Sequence, residues 1–517
     1  MQKKVIAVLL IIVFSVVFGT STPGSFFSGD INMIDEGQFS AWANHMSHGK
    51  LLFKDIYITY GPLSVYPLFL LFETFGASAF LVRLYLTLGG TLGILVSFFL
   101  MKELKLKKWI TALLICMFLL IPVFNIRESV GLWGLYLLMR SHNRKSLKLT
   151  FLAGIIASVS FLVSPDFGTF LLIVAYFHFL VMAMTTSKLG NSIKPFGLFV
   201  LGSGIVILGF CLLAFSGNWL KEYIFGTYDI VTSISGINVP NGMNFPNPIS
   251  AFLNDGLIGF IKFLPSHSML LYWSLCVYFA AAFYISLNLI RRKIREQEYA
   301  FVLLFIFGIL VYTILLTRHG AGHYFYTLPA NLMICGYFLT KVFSIRGKKT
   351  VVVRIVVALI LIYFVRILYL NNPMIRKAIN PYTYMSQRSI NPDRVGFLNI
   401  SNSQKRKIIF FQKFVDKNTE KQDYIFLFND EPSIYMLVDR VNPTMFDLPF
   451  IGNTLSKRQD IVSSLRRNSP KYIFIDMDVW AIDGISNFRR LPEVYTYIGK
   501  NYSYVATIEN VKILKLK

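Results

Sequence analysis

Long apolar runs recur along most of this chain and restrict its fold more than any other feature. Runs of about twenty residues, such as 79–101 and 269–290, are long enough to cross the hydrocarbon core of a bilayer as helices. The 517 residues are 55% hydrophobic and 15% charged, whereas soluble domains average about 25% charged residues. The pattern therefore predicts a polytopic α-helical membrane protein.

The apolar runs predict about eleven transmembrane helices. The expected spans are residues 5–19, 79–101, 109–124, 130–139, 149–163, 167–184, 196–215, 269–290, 299–316, 324–340 and 351–370. The run at 63–75 is too short to span, so we expect a re-entrant or surface helix there. Residues 5–19 follow two lysines and are interpreted as a retained first helix, with a cleaved signal peptide as the alternative.

The net charge of +24 is explained by where the basic residues lie. Segments 102–108, 140–148 and 291–295 are rich in Lys and Arg, and all three fall on one side of the expected topology. The loops on the other side hold few basic residues. This bias follows the positive-inside rule, so the basic segments are assigned to the cytoplasm and no nucleic-acid partner is expected.

The composition changes after residue 370. Residues 1–370 are predicted to form the transmembrane domain, with external loops at 20–62 and 216–268. Beyond them, apolar runs shorten to strand length at 424–428 and 472–475, with helical patterns between. Strands that alternate with helices predict a small α/β domain at 371–517. It follows an odd number of spans, so we expect it outside the cytoplasm.

Other sequence features limit the chemistry. All four cysteines lie inside apolar runs, so neither disulfides nor a Cys-based metal site is expected. Glycine-rich nucleotide-binding motifs are absent from the sequence. Asn429, Asp430 and Glu431 close the first expected strand, where α/β domains often bind ligands. The same acidic residues also suit the start of the following helix, and both interpretations stay open.

The first external loop has the most distinctive sequence, NMIDEGQFSAWANHMSHGKLLFKDIYITYGPLSVY at residues 32–66. It opens on Asp35 and Glu36, continues as a helix-like segment containing Trp42, and then carries Tyr57 and Tyr60. One interpretation is an amphipathic helix on the membrane surface. The other is a functional site, since loops on a rigid scaffold often carry function.

Four charged clusters fall on the external side in the expected topology. They are Asp35-Glu36, Arg127-Glu128, Pro165-Asp166, and Arg318-His319 with His323. The last three have simpler explanations as well: an interfacial ion pair for Arg127-Glu128, a helix cap for Asp166, and helix anchoring for the histidines. A transporter tends to place charges at mid-membrane, whereas these lie at one face. The arrangement suits an enzyme whose substrate head group lies at the membrane boundary.

With these motifs the chain resembles the GT-C superfamily of membrane glycosyltransferases, especially bacterial protein-mannosyltransferases and aminoarabinose transferases. The similar segments are MIDEGQFSAWANHMSHGKLLFKDIYITYGPLSVYPLF, RESVGLWGLYLLM, VSPDFGTFLL, RHGAGHYFYTLPANL, EPSIYMLVDRVNPT and SSLRRNSPKYIFID. At Ser164-Pro165 the chain departs from relatives, which often carry a basic residue at this turn. The resemblance covers most of the chain through short motifs.

The resemblance implies transfer of a sugar from a polyprenyl-phosphate donor, at the outer face of a bacterial inner membrane. Asp35 would be the catalytic base, and Glu36 its helper or a metal ligand. The implied phosphate-binding residues are Arg127, Arg318, His319 and His323, and the implied substrate contacts are Asp166, Trp42, Tyr57 and Tyr60. No cofactor is required, and the need for a divalent metal is left open. Membrane lipids surround the chain, and the acceptor is a glycan, a lipid or a protein.

Two other functions remain open at this point. A flippase or transporter of lipid-linked sugars would use the same external surface and leave the glycosidic bond intact. An O-antigen-type polymerase or ligase would instead take a pyrophosphate-linked donor. The chemistry of the donor before and after turnover distinguishes these classes.

The expected topology predicts that the C-terminal domain is accessible from outside the cell. A Ser403→Cys variant should react with a membrane-impermeant thiol reagent in intact spheroplasts, and the parent protein measures the background from native cysteines. Labelling of Ser403→Cys only after lysis would contradict this topology and the grouping of the charged clusters.

Overall fold

The computed structural model describes residues 29–120, 123–185, 190–238, 248–263, 267–290, 296–317, 325–344, 391–477, 482 and 485–517. The chain divides into two compact units. The first unit is Met1–Ser21, Leu86–Phe210 and Asn241–Pro381, and the second is Thr22–Tyr85, Cys211–Pro240 and Tyr382–Lys517. The expected spans at 5–19 and 351–370 lie outside the described residues, as does most of the expected boundary region near residue 371.

The described chain before residue 345 is mostly helical. In chain order the helices are α1 (Asp35–Ser47), α2 (Tyr66–Phe75), α3 (Ala79–Glu103), α4 (Lys108–Leu120), α5 (Ile126–Arg144), α6 (Leu147–Val163), α7 (Pro165–Thr185), α8 (Gly190–Ser216), α9 (Leu220–Asn238), α10 (Pro248–Phe263), α11 (His267–Ile290), α12 (Glu296–Thr317) and α13 (Leu328–Val342). A short 3-10 turn, Pro62–Ser64, precedes α2.

Five helices in this described part are long and apolar enough to cross a membrane. Judged by length and composition, they are Ala79–Glu103, Pro165–Met184, Ile193–Ser216, Tyr272–Ile290 and Glu298–Leu315. Each matches an expected span. Helices α4 and α6 are apolar but shorter. The expected total of eleven spans stays a prediction.

Helix α5 is longer than the apolar run that predicted it. The run covers 130–139, but the helix has 19 residues because polar side chains extend it at both ends. At its start the side chain of Asn125 accepts a hydrogen bond from the backbone of Glu128, at 3.0 Å, and so caps the first turn. The hydrophobic run marks only the apolar centre of this helix.

The connection at 216–268 is helical over much of its length, although we expected it as a long loop. It contains α9 and α10, separated by residues that lie outside the described chain. Gly256 interrupts α10 with a φ of 62°, a left-handed conformation that glycine adopts without steric cost.

The C-terminal part of the second unit is an α/β domain, as expected. Its elements are α14 (Asn402–Asn418), β1 (Ile425–Leu427), α15 (Ser433–Leu437), α16 (Leu455–Asn468), β2 (Tyr472–Asp476), α17 (Asn487–Arg490), α18 (Pro492–Asn501), β3 (Tyr502–Ile508) and β4 (Val511–Leu516). The sheet order is β1-β2-β4-β3, with β1 parallel to β2 and the other pairs antiparallel.

Strands β1 and β2 lie where the sequence predicts them, but the β3–β4 hairpin was not predicted. Its turn is Glu509-Asn510, and both residues have positive φ, at 47° and 59°. Two consecutive positive φ values are typical of a type I′ turn, whose twist matches that of the paired strands. The hairpin extends the sheet beyond the strands predicted by apolar content alone.

Helix α1 is enclosed by protein within the second unit. Ten of its 13 residues, from Glu36 to His45, are buried. A Cβ added to Gly37 would lie 2.7 Å from the backbone nitrogen of Ser433 in α15, so the two helices approach as closely as only glycine permits. The interpretation of this helix as a membrane-surface helix is therefore wrong, because protein covers every residue from Glu36 to His45.

The close approach predicts that Gly37→Ala lowers stability. The added methyl group overlaps backbone atoms, and overpacking of this kind costs about 1–3 kcal/mol. Gly499→Ala in α18 is the matched control, since a Cβ there meets nothing within 4 Å. Thermal unfolding of the purified proteins should show a loss for Gly37→Ala alone. Equal melting temperatures would contradict the packing described here.

Candidate active site

The two carboxylates that open α1 have opposite environments. Asp35 is exposed, and its Oδ2 accepts a hydrogen bond from Asn32 Nδ2 at 2.8 Å. Glu36 is only 2% exposed. Successive residues in a helical turn point in different directions, so the backbone geometry separates the two groups. Of this pair, Asp35 is the carboxylate that a substrate can reach.

Glu36 is held by a buried arginine on α3. Both carboxylate oxygens accept from Arg83, at 2.9 Å from Nε and 3.0 Å from Nη2. The same guanidinium also donates to the carbonyl oxygens of Gly29 and Asp30. Arg83 is 1% exposed. Such a two-bond pair orients both groups and fixes the start of α1 against α3.

The sequence analysis did not identify Arg83, although a signal was present. Arg83 is the sole charged side chain in the apolar run 79–101. A charge in such a run is costly and needs a partner, so it marks a functional or structural pair by default. Its carboxylate partner, Glu36, lies in the loop that precedes the helix.

The aromatic residues of this loop pack in the interior of the second unit. Trp42 is 1% exposed, with its ring edge-on to Phe39 and Tyr60 at centroid distances of 5.5 and 5.8 Å. Tyr60 is half-buried and stacks on Phe39 at 5.7 Å. A sugar could contact Trp42 only if the residues packed around its ring moved away. The structure therefore supports a packing role for Trp42 instead of the expected substrate contact.

Tyr57 is likewise buried, and it belongs to a polar cluster that the sequence analysis did not predict. Its hydroxyl donates to Asp229 at 2.7 Å, and Lys457 lies 2.7 Å from the same carboxylate and 3.2 Å from the hydroxyl. The cluster joins the first loop to α9 and α16. It supports a positioning role for Tyr57, because its ring also packs on Phe446.

In the first unit the structure brings Arg127 and Asp166 together. Arg127 Nη2 donates to Asp166 Oδ2 at 3.2 Å, which joins the first turns of α5 and α7. The guanidinium carbon lies 5.5 and 5.4 Å from the ring centroids of Phe167 and Tyr326. The other carboxylate oxygen of Asp166 accepts from the Phe167 backbone and the Ser164 hydroxyl. The arginine is paired with Asp166 and not within the expected Arg127-Glu128 pair. Asp166 is the second residue of α7 and therefore does not occupy the expected capping position before the helix.

The other expected site residues lie outside the described chain. These are Arg318, His319 and His323, whose phosphate-binding role stays a prediction. Within the described residues, no group of three or more His, Cys, Asp and Glu side chains is arranged to hold a metal ion. Glu36 does not fit the metal-ligand role, because both of its oxygens already accept from Arg83.

The acidic residues after β1 are built into the α/β domain. Asp430 is buried and accepts from the backbone of Phe450 and the side chain of Asn487. Glu431 binds the ammonium of Lys407 at 2.8 Å, and Asp476 at the end of β2 contacts the same ammonium. These partners give the segment a structural role. The expected capping of the following helix is not observed, because the first turn of α15 has no side-chain cap hydrogen bond.

One ammonium between two buried carboxylates leaves an excess negative charge. Burial raises the pKa of Glu431 to about 7, against the opposing attraction of Lys407. Burial lowers the pKa of Lys407, but Glu431 and Asp476 outweigh that effect and raise it overall. Lys407 therefore stays charged, and Glu431 is the group that takes up a proton near neutral pH.

The fold defines a class: a polytopic membrane protein with a GT-C-like helical region and a small C-terminal α/β domain. No family model matches the sequence, and no curated protein matches it. The solved structures give a clear likeness, however. Archaeal oligosaccharyltransferase AglB from Archaeoglobus fulgidus, in complex with an inhibitory peptide and a dolichol-phosphate, aligns with a TM-score of 0.52 at 12% identity, over 98% of this chain and 73% of its own.

ArnT from Cupriavidus metallidurans is similarly close in structure. Its apo form aligns with a TM-score of 0.51, and its complex with undecaprenyl phosphate with 0.50. Both alignments have 13% identity and cover 99% of this chain and 98% of ArnT. Both proteins are GT-C superfamily membrane glycosyltransferases. The resemblance predicted from sequence motifs is confirmed at the level of the fold.

The buried ion pair predicts that the stability losses of its two single variants do not add in the double variant. Arg83→Met leaves Glu36 charged and unpaired, which should cost about 3–5 kcal/mol of stability. Removing both charges in Glu36→Gln/Arg83→Met should cost less than the sum of the single variants. Arg406→Met is the control, since its pair with Glu509 is exposed and such pairs contribute about 0–1 kcal/mol. Strict additivity of the two losses in thermal unfolding would refute the coupling.

The Glu431 pKa predicts that stability falls as pH rises through neutrality. The folded state binds this proton more tightly than the unfolded state, whose value is near 4.5. The contribution is therefore complete below pH 4.5 and is lost as pH rises through about 7. Glu431→Gln should flatten the melting temperature between these pH values, whereas Glu420→Gln, an exposed carboxylate, should not. An unchanged slope in Glu431→Gln would contradict the assignment.

Proposed function

We propose that this protein is a membrane glycosyltransferase that moves a sugar from a polyprenyl-phosphate donor to an acceptor hydroxyl outside the cytoplasm. The GT-C-like fold supports the reaction class, since AglB and ArnT share it. These relatives in structure also suggest the lipid carrier of the donor, since one structure holds a dolichol-phosphate and another undecaprenyl phosphate. Each is a phosphate on a polyprenyl chain.

The observation that carries the proposal is the difference between Asp35 and Glu36. Asp35 is exposed at the start of α1, while its neighbour is buried and bound on both oxygens. A general base must be accessible to the proton that it removes, and it must be held in place. The exposed carboxylate meets the first condition. The Glu36–Arg83 pair meets the second, because it fixes the turn on which Asp35 lies.

The reaction then follows from ordinary acid–base chemistry. Asp35 accepts the proton of the acceptor hydroxyl, and the hydroxyl oxygen forms a bond to the anomeric carbon of the sugar. The bond between that carbon and the phosphate oxygen breaks, and the polyprenyl phosphate leaves with the electron pair. Developing charge on the phosphate is stabilised by cations or hydrogen-bond donors nearby. Glu36 is a positioning residue in this account.

Arg127 is the phosphate-binding candidate within the described chain. It is mostly buried, paired with Asp166 and set over two aromatic rings. Its planar guanidinium presents several donors in fixed directions, which suits a phosphate better than a lysine ammonium does. Asp166 also holds the arginine in position before substrate binds. Arg318, His319 and His323 are proposed to contribute to the same function.

The decisive variant is Asp35→Asn, which keeps the size of the side chain but removes its capacity to accept a proton. Turnover should fall by about 10²–10⁴, the usual contribution of a positioned base. The assay supplies undecaprenyl-phosphate sugars as a panel of probes to the protein in nanodiscs, with a cell-envelope fraction as acceptor. Release of undecaprenyl phosphate is measured by mass spectrometry.

Asp55→Asn is the matched control, because Asp55 lies in the same loop and its carboxylate caps the backbone nitrogen of Leu51. This variant should keep near-normal turnover. Binding of undecaprenyl phosphate should survive in Asp35→Asn, since the base contacts the acceptor. Full activity of Asp35→Asn would contradict the assignment of Asp35 as the general base. Movement of an intact lipid-linked sugar would indicate transport. In a parallel assay with undecaprenyl-pyrophosphate sugars, turnover of these donors alone, with release of undecaprenyl pyrophosphate, would indicate a polymerase or ligase.

A further inference from the structure

Helix α9 has one face that is covered by protein. Trp219, just before the helix, and Tyr223 are buried beside Phe53, with ring centroids 6.4 and 5.0 Å from the Phe53 ring. A Cβ on Gly226 would lie 2.9 Å from the same ring, so the helix approaches closely. One turn later, Asp229 binds Tyr57 and Lys457, as described above. These contacts fix the rotation of α9 about its own axis.

The opposite face of α9 is apolar and exposed. Ile224, Phe225 and Tyr228 are 57%, 62% and 68% exposed. Lys221 and Thr232 are also exposed, and the spacing of three to four residues places all five on one side of the helix. The ammonium of Lys221 lies 5.9 Å from the Phe225 ring. A contiguous apolar face of this kind marks a surface that contacts something other than water.

Helix α9 does not have the composition of a membrane span, although α8, which precedes it in the chain, does. It carries Glu222 and Asp229 within 19 residues, and it is not among the five spanning candidates of the described chain. Helix α8 is one of those candidates and ends at Ser216, shortly before α9 begins. A helix in this position can lie along the bilayer surface but cannot insert through it.

The exposed apolar surface continues from α8 into α9. In the last turn of α8, Leu212, Leu213 and Phe215 are 61%, 71% and 72% exposed. Because α8 has the length and composition of a membrane span, these side chains face lipid. Three residues then separate α8 from α9. The apolar face of α9 thus begins where a lipid-facing surface ends.

We infer that α9 is docked on the phospholipid bilayer, with Ile224, Phe225 and Tyr228 inserted at the level of the head groups. The residue types fit this region, since a tyrosine places its ring in apolar surroundings and its hydroxyl in water. Lysine extends its ammonium towards lipid phosphates while its methylene groups stay in contact with apolar surface. An amphipathic helix of this kind lies in the plane of the interface. The bilayer therefore holds one face of α9, and the loop containing Phe53 and Tyr57 holds the other.

Fluorescence quenching in nanodiscs tests this docking. A bimane label is attached at Phe225→Cys or Tyr228→Cys, in a background whose native cysteines are replaced by alanine. Leu208→Cys on α8 is the lipid-facing reference, and Ser403→Cys on α14 is the aqueous reference. Both reference positions are exposed. The nanodiscs contain phosphatidylcholine and phosphatidylglycerol, with bromine atoms at a shallow or a deep position of the acyl chain.

The α9 labels should be quenched by brominated lipid to within about twofold of the Leu208→Cys label, and shallow bromines should quench them more than deep ones. Iodide in the buffer should quench Ser403→Cys strongly and the α9 labels weakly. Strong iodide quenching at either α9 position would overturn the proposal, because the face would then be free or reserved for a protein partner. Stronger quenching by the deep bromines would also overturn it, because the helix would be inserted.

Hydroxyl-radical footprinting of the unaltered protein in the same nanodiscs gives an independent result that needs no cysteine replacement. Docking predicts that Tyr228 is protected from oxidation, although protein leaves its ring largely exposed. Oxidation of Tyr228 at the rate measured for the unfolded protein would contradict the docking. Either result is readable even if a labelled variant fails to fold.

Discussion

The buried ion pair between Glu36 and Arg83 is the interaction on which the proposed site depends. Two charges have been removed from water, and their mutual hydrogen bonds offset that cost only while the geometry is maintained. The pair fixes the first turn of α1 to the start of α3. Because Asp35 lies on that turn and points elsewhere, its exposed position is a consequence of how its neighbour is held.

The C-terminal α/β domain contributes directly to holding α1. Asn44 donates to the carbonyl oxygen of Arg440, and His45 lies 2.8 Å from Asp447 in a buried pair. Gly37 permits the approach of Ser433. These contacts all lie within the second unit. The domain therefore helps to hold the helix that carries the proposed base. The same contacts join residues 35–47 to residues 433–447 within one compact unit.

Much of the fold could be predicted from the sequence, since apolar run length determines which helices can span and strand-length runs located β1 and β2. The ends of α5 and the helices at 220–238 and 248–263 were missed because their polar residues obscure the apolar signal. The motif of the first loop singled out Asp35, and the structure leaves this carboxylate exposed. The residues that hold the loop in place were not predicted, because Arg83, Lys457 and Asp447 approach Glu36, Tyr57 and His45 from distant parts of the chain. Aromatic residues such as Trp42 were assigned to a sugar since composition does not distinguish a ring in a core from one in a binding site.

The most direct measurement is an electron cryomicroscopy structure of the protein in nanodiscs, bound to a non-transferable phosphonate analogue of an undecaprenyl-phosphate sugar. The account predicts that the Asp35 carboxylate faces the bound sugar, and that Glu36 keeps both hydrogen bonds to Arg83. A complex in which Glu36 leaves Arg83 to contact the ligand, while Asp35 points away, would contradict the assignment of the base. The same result would show that the ion pair is a feature of the unliganded protein alone.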